Sequence, residues 1–129
     1  VSSPRKRALV TAELAGLTVD EVTPLISEWD YGDYEGTTTD EIRKVVPDWL
    51  VWTHGCPGGE TSAAVCERAD RAIELALEHM ETRDVVFVGH GHFSRAVIDS
   101  RRTRREAWFV DPVGHIGACN VPLPVRLRN

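Results

Sequence analysis

Val85-Val86-Phe87-Val88 is an unbroken β-branched and aromatic run that ends at Gly89-His90-Gly91-His92. A short apolar run bounded by glycines reads as a buried strand. Before it, Val65, Ala69, Ala72, Ile73, Ala76, Leu77 and Met80 recur at spacings of three and four, which predicts an amphipathic helix over Thr61 to Glu81. After it, Phe93 to Ile98 is helix-like. Helix, buried strand and helix in that order imply an α/β fold with a mainly parallel sheet. Open sheets of this kind bind ligands beyond the carboxyl ends of their strands, where His90 stands between two glycines that let a ligand approach the backbone. The alternative for His90 is a side chain that merely caps a strand beside a tight turn.

The remaining elements follow from local signals. Ser3 and Pro4 suit the start of a first helix carrying Ala8, Leu9, Ala12 and Ala15 and stopped by Gly16. Thr18 to Ile26 reads as a short strand, and Glu28 to Gly36 is too polar and glycine-punctuated for regular structure. Thr38 and Glu41 have the spacing of a capping box and open a helix ended near Pro47. Trp49, Trp52, His54 and Cys56 fall in a loop closed by Pro57-Gly58-Gly59, and His115 to Asn120 suits a last strand. Val1-Ser2-Ser3-Pro4 resembles the end of a strand, so the chain reads as beginning in mid-domain.

With 129 residues, 42% hydrophobic and 27% charged, one packed domain is expected. The net charge of −5 argues against a nucleic-acid partner, despite the cluster Arg101-Arg102-Thr103-Arg104-Arg105. No apolar run suits a membrane span or a signal peptide, which reads as a soluble cytoplasmic protein without membrane association. The three cysteines, Cys56, Cys66 and Cys119, form no CxxC pair and read as free thiols in a reducing compartment.

Four segments in order carry a more specific signal. Ser3 to Ala12 resembles the S-x-x-x-R-A-x-x-T-A segment of the histidine phosphatase (phosphoglycerate-mutase-like) superfamily. Glu28 to Gly36 resembles its E-x-x-x-G-x-x-E-G loop, Pro57-Gly58-Gly59-Glu60-Thr61 its P-x-G-E-S/T turn, and Val88-Gly89-His90-Gly91 its S/G-H-G strand end. The likeness covers residues 1 to about 98, and Trp49 to Gly59 looks like actinobacterial members of acid-phosphatase type. It implies a three-layer α/β/α domain over residues 1–129 with a divergent C-terminal segment, 99–129, and without the family's first strand.

The resemblance also implies chemistry: hydrolysis of a small phosphorylated metabolite through a phosphohistidine, with no cofactor and no metal, with a homodimer and accompanying mutase activity left open. Arg7 and His90 would bind the phosphoryl group, and Glu28 would act as general acid and base, so that Glu28 and His90 are the catalytic candidates. His92, Trp29, Trp52 and His54 are candidates for the pocket, with Trp49 beside them, while Glu60 and Arg68 are read as fixing the turn and helix. The family's nucleophile lies in an Arg-His-Gly triplet, and this sequence contains none. The chain is therefore expected to be N-terminally truncated and to lack turnover as it stands. Two other readings remain: a non-catalytic phospho-ligand binder or decayed homologue, and a metal hydrolase using His90 and His92 with His54, Cys56 or Asp30.

Overall fold

The computed structural model describes residues 1–103, with side chains through Ser100. Five helices appear among them: α1 (Lys6–Leu14), α2 (Thr39–Val45), α3 (Val51–His54), α4 (Ser62–His79) and α5 (Gly91–Thr103). The periodic stripe predicted for α4 is the one that is buried, through Val65, Cys66, Ala69, Ala72 and Ile73. It faces α5 and the 3-10 turn at Pro24–Ile26. Ala69, Ala72 and Ala96 have no accessible surface, and such small side chains let the two helix backbones approach closely around Phe93. Burying each large side chain of this core, such as Ile26, Val65 or Phe93, stabilises the fold by about 1.5 to 3 kcal/mol.

Helix starts follow their caps. Thr61 Oγ1 accepts from Ala64 N at 3.2 Å, and Thr38 and Glu41 form the reciprocal capping box expected at α2. The first helix starts later than its sequence suggests. Its N-cap is Arg5 without a side-chain bond, because the Ser3 hydroxyl is engaged by the Arg5 amide and by His90.

No strand ladder forms among the described residues, so the sheet expected from sequence is present only as two isolated parallel bridges, Ser2 with Val22 and Ser2 with Val88. Ser2 lies in the middle: its amide donates to Glu21 O at 2.8 Å, and its carbonyl accepts from Thr23 N at 3.0 Å. On the other side Ser3 N donates to Val88 O and Val88 N to Val1 O, each at 3.0 Å. The strand expected over Thr18 to Ile26 is cut short because Pro24 opens the 3-10 turn, whose N-cap Thr23 accepts from Leu25 N. Val85 to Val88 is extended but only partly buried, with Val86 53% exposed.

Two further corrections concern helices. Val51–His54 is a short helix inside the segment expected to be a loop, and the helix expected over Phe93 to Ile98 extends as α5 from Gly91 through Thr103. The predicted strand at His115 to Asn120 lies outside the described residues. Cys56 is a buried free thiol, as expected, and Cys119 lies outside the described residues. No helix among the described residues is long and apolar enough to cross a membrane.

Candidate functional site

The bridge between Ser2 and Val88 sets the site, because it places the ends of two extended segments side by side. One end continues into Ser3 and, a turn later, Arg7; the other into His90. Arg7 Nε donates to His90 Nδ1 at 3.1 Å, and His90 Nε2 lies 2.8 Å from Ser3 Oγ. Since Nδ1 accepts, the single ring proton of the neutral imidazole sits on Nε2 and is donated to the serine. Burial pulls the His90 pKa below the ordinary value and the Arg7 guanidinium pulls it further, against a smaller opposing pull from Glu28. The result is a neutral histidine fixed in one tautomer beside an exposed arginine.

Glu28 sits at the amino end of α5. One carboxylate oxygen accepts from Trp29 N and Phe93 N, both at 2.9 Å, and the other from His92 N at 3.3 Å. Burial pushes its pKa up, but these three amides and the His92 imidazole outweigh burial and hold the carboxyl below the ordinary range. The carboxylate thus satisfies helix-end amides that would otherwise lack partners, and its charge suits the positive end of the helix dipole.

Aromatic rings close one side. Trp52 packs edge-on against Trp29 at 5.1 Å between centroids and against His92 at 5.9 Å, while the Tyr31 hydroxyl bonds His92 Nδ1. Trp29 is 1% exposed and its Nε1 donates to Glu60 O, which makes it the floor of this wall. His54 is not brought here: its Nδ1 bonds Leu50 N and Thr53 Oγ1 within its own short helix. Trp49 is buried in the core and donates to Gly55 O. Sequence reasoning gave Tyr31 no role of its own in the site and read Ser3 only as a helix start and the first position of a family segment. Ser3 meets His90 across 87 positions, and no local pattern announces that contact.

Behind the wall, Arg68 and Glu60 hold the loop. Arg68 donates to both Glu60 oxygens at 2.8 and 2.7 Å and to the carbonyls of Leu25, Ser27 and Glu28, and Glu60 in turn accepts from Asp30 N. The structural reading of this pair therefore fits its contacts. The metal reading gains nothing: no group of three or more His, Cys, Asp or Glu side chains converges among the described residues, and both His90 nitrogens already have partners.

These shifts make the fold acid-sensitive. His90 and His92 both titrate lower in the folded chain than in the unfolded one, as does Glu28. The unfolded chain thus binds more protons below about pH 6.5, and stability falls as pH drops through that value and again through the carboxylate range. Thermal melts from pH 8 to 4 should show a declining midpoint beginning near pH 6.5; a midpoint flat to pH 5 would rule out buried neutral histidines.

The sequence profile of the histidine phosphatase superfamily (branch 1) matches residues 1–109. The chain belongs to this superfamily. It is 58% identical over 129 residues to a protein of Mycobacterium tuberculosis named "Acid phosphatase", covering 98% of this chain and 64% of that protein. A Saccharomyces cerevisiae protein named "Sedoheptulose 1,7-bisphosphatase" is 31% identical over 118 residues, covering 73% of this chain and 44% of the yeast protein. The solved structure of the product of open reading frame Rv3214 from Mycobacterium tuberculosis superposes with a TM-score of 0.74 at 70% identity, over 75% of this chain and 50% of that one. The chain thus spans between 44% and 64% of the length of these relatives. Membership makes the domain α/β in class, a statement the two parallel bridges agree with but do not by themselves establish.

Proposed function

We propose that this chain carries the phosphate-binding and proton-transferring groups of a phosphomonoesterase of acid-phosphatase type. The observation that carries the reading is the convergence of Arg7, Ser3 and His90, within electrostatic reach of Glu28. On a phosphoryl anion, the Arg7 guanidinium would give paired hydrogen bonds, and the anion's charge would favour protonation of His90 against the burial and the Arg7 charge that lower its pKa. His90 could then donate to a phosphoryl oxygen as charge builds in the transition state. We further propose that the extended segments at Ser2, Val22 and Val88 belong to a mainly parallel sheet within a three-layer domain, which both bridges favour in direction.

In the double displacement of this superfamily a histidine nitrogen attacks phosphorus, forming a P–N bond while the P–O bond to the alcohol breaks. Glu28 would protonate the departing alkoxide, then take a proton from the water that displaces the histidine and releases phosphate. The 129 residues hold no Arg-His-Gly triplet, and His90 is committed to Arg7 and Ser3, so the attacking histidine is not among the groups placed here. Turnover requires that triplet, whereas phosphate binding does not. The related names, an acid phosphatase and a sugar bisphosphatase, favour a small phosphorylated metabolite as ligand.

Arg7→Ala and His90→Ala should each weaken binding of phosphate or vanadate by about tenfold to a hundredfold, since a hydrogen bond to a charged group is worth about 1.5 to 3 kcal/mol. Calorimetric titration of the 129-residue chain measures this. Affinity unchanged in both variants would place the phosphate elsewhere and sink the proposal.

A further inference from the structure

The ion pair of Arg68 and Glu60 reaches three consecutive residues of the loop that carries Glu28. Arg68 Nη2 donates to Glu28 O at 3.3 Å, Trp29 Nε1 donates to Glu60 O at 3.0 Å, and Asp30 N donates to Glu60 Oε2 at 3.0 Å. On its other side the Arg68 guanidinium lies 4.5 Å from the centre of the Phe93 ring, a cation held against the ring face. Two short bonds join the pair, Nε to Glu60 Oε1 at 2.8 Å and Nη2 to Oε2 at 2.7 Å, in the planar fork that only a guanidinium offers. Such a fork fixes direction as well as distance.

The residues braced in this way are the ones that meet the Glu28 carboxylate. Oε1 accepts from Trp29 N and Phe93 N, each at 2.9 Å, whereas Oε2 has one longer bond, from His92 N at 3.3 Å. A carboxylate oxygen has two lone pairs to offer. Those of Oε1 are both engaged, so among the described residues it is Oε2 that keeps a lone pair for a proton. The last bond of a glutamate side chain turns freely, and without both amides in place the two oxygens would exchange roles. Arg68 and Glu60 make no hydrogen bond to the carboxylate, yet they touch both residues whose amides orient it.

We propose that Arg68 is a positioning residue for proton transfer: through Glu60 and the Phe93 ring it holds the two amides that occupy Glu28 Oε1, which leaves Oε2 as the oxygen that hands a proton to the departing alkoxide and takes one from the attacking water. The proton that leaves Oε2 in the first step is replaced from water in the second, so the carboxyl returns to its starting state. The inference rests on the reading of Glu28 as general acid and base given above. In it Glu28 meets the reacting atoms, and the ion pair acts only through the loop and the start of α5.

The test is a carbon-13 NMR titration of the Glu28 side-chain carboxyl in the 129-residue chain. Arg68→Lys keeps the positive charge and loses the fork, so a change in it reports geometry and not charge. Its Glu28 should titrate higher, toward the ordinary carboxylate value, because amides that stray from Oε1 no longer favour the charged form. The Phe93 amide should exchange with solvent about tenfold faster relative to amides within α4, the scale of one lost hydrogen bond to a charged group. Phe93→Leu, which keeps the amide and removes the ring face, should shift the Glu28 titration in the same direction. Ile42→Ala is the control, a cavity in the core on another helix, which should lower the melting temperature and leave the Glu28 titration in place. Inorganic phosphate, titrated calorimetrically, should bind Arg68→Lys within about twofold of the unaltered chain, since one hydrogen bond lost elsewhere leaves Arg7 and His90 as they were. A Glu28 titration unmoved in Arg68→Lys and Phe93→Leu, or moved as far by Ile42→Ala, overturns the inference while leaving phosphate binding intact. Absence of phosphate binding by the unaltered chain overturns both this inference and the reading it rests on.

Discussion

Gly59→Ala is expected to lower the stability of the chain by about 3 kcal/mol or more, the scale of a severe steric insertion into close-packed structure. A Cβ at Gly59 would stand 2.3 Å from Asp30 O, 2.7 Å from Gly32 N and 2.9 Å from the Tyr31 carbonyl carbon. All three are backbone atoms, so no rotamer change relieves the clash. The turn that carries Gly59 and the loop that carries Tyr31 are tied there by Asp33 N to Pro57 O at 2.8 Å and Glu60 N to Asp30 O at 2.9 Å, and forcing them apart breaks both bonds. Net stability of such a domain is about 5 to 15 kcal/mol, so much of it would go. The affinity for phosphate should fall with it, because Glu28 and the aromatic wall hang on the same loop. Gly91→Ala is the control: nothing lies within 4 Å of its Cβ position, and it starts a helix, so a change below about 1 kcal/mol is expected. Equal melting temperatures for the Gly59 variant and the unaltered chain would mean that the two loops do not pack as described.

Arg68→Ala should be nearly as damaging, at about 3 to 5 kcal/mol, the cost of breaking a buried ion pair by removing one partner. The side chain is 11% exposed and engages the Glu60 carboxylate through two nitrogens. It also donates to the carbonyls of Leu25, Ser27 and Glu28, and its guanidinium lies 4.5 Å from the Phe93 ring centre. Its loss leaves the Glu60 charge unbalanced and three carbonyls short of a donor. Arg68→Lys cannot reproduce the planar fork and should recover only part of the loss. In the double variant with Glu60→Ala the two effects should be far from additive, because the second change removes the stranded charge. Chemical denaturation of the four proteins measures this, and additive losses would show that the two side chains act independently.

Some of this molecule is set by local order along the chain. The helix over Ser62–His79 is legible because its apolar spacing matches the helical repeat, and α2 because Thr38 and Glu41 satisfy each other's amides within four residues. The four ordered segments likewise point to the superfamily without any knowledge of contacts. Other features depend on partners that only folding supplies. Whether Val85 to Val88 pairs as a strand rests on neighbours, and the described residues give it a single bridge, to Ser2. The contacts of His54, read from sequence as a pocket candidate in a loop, are likewise set by folding, since the chain turns into a short helix at Val51 and His54 Nδ1 bonds Leu50 N and Thr53 Oγ1. The tautomer of His90 could not be read from Gly89-His90-Gly91, since it is fixed by an arginine and a serine more than eighty positions away. Spacing along the chain determines which residues can share a helix face or a cap, because those contacts close within a turn; which proton a histidine carries, and toward what, is decided by groups that meet only in the folded domain.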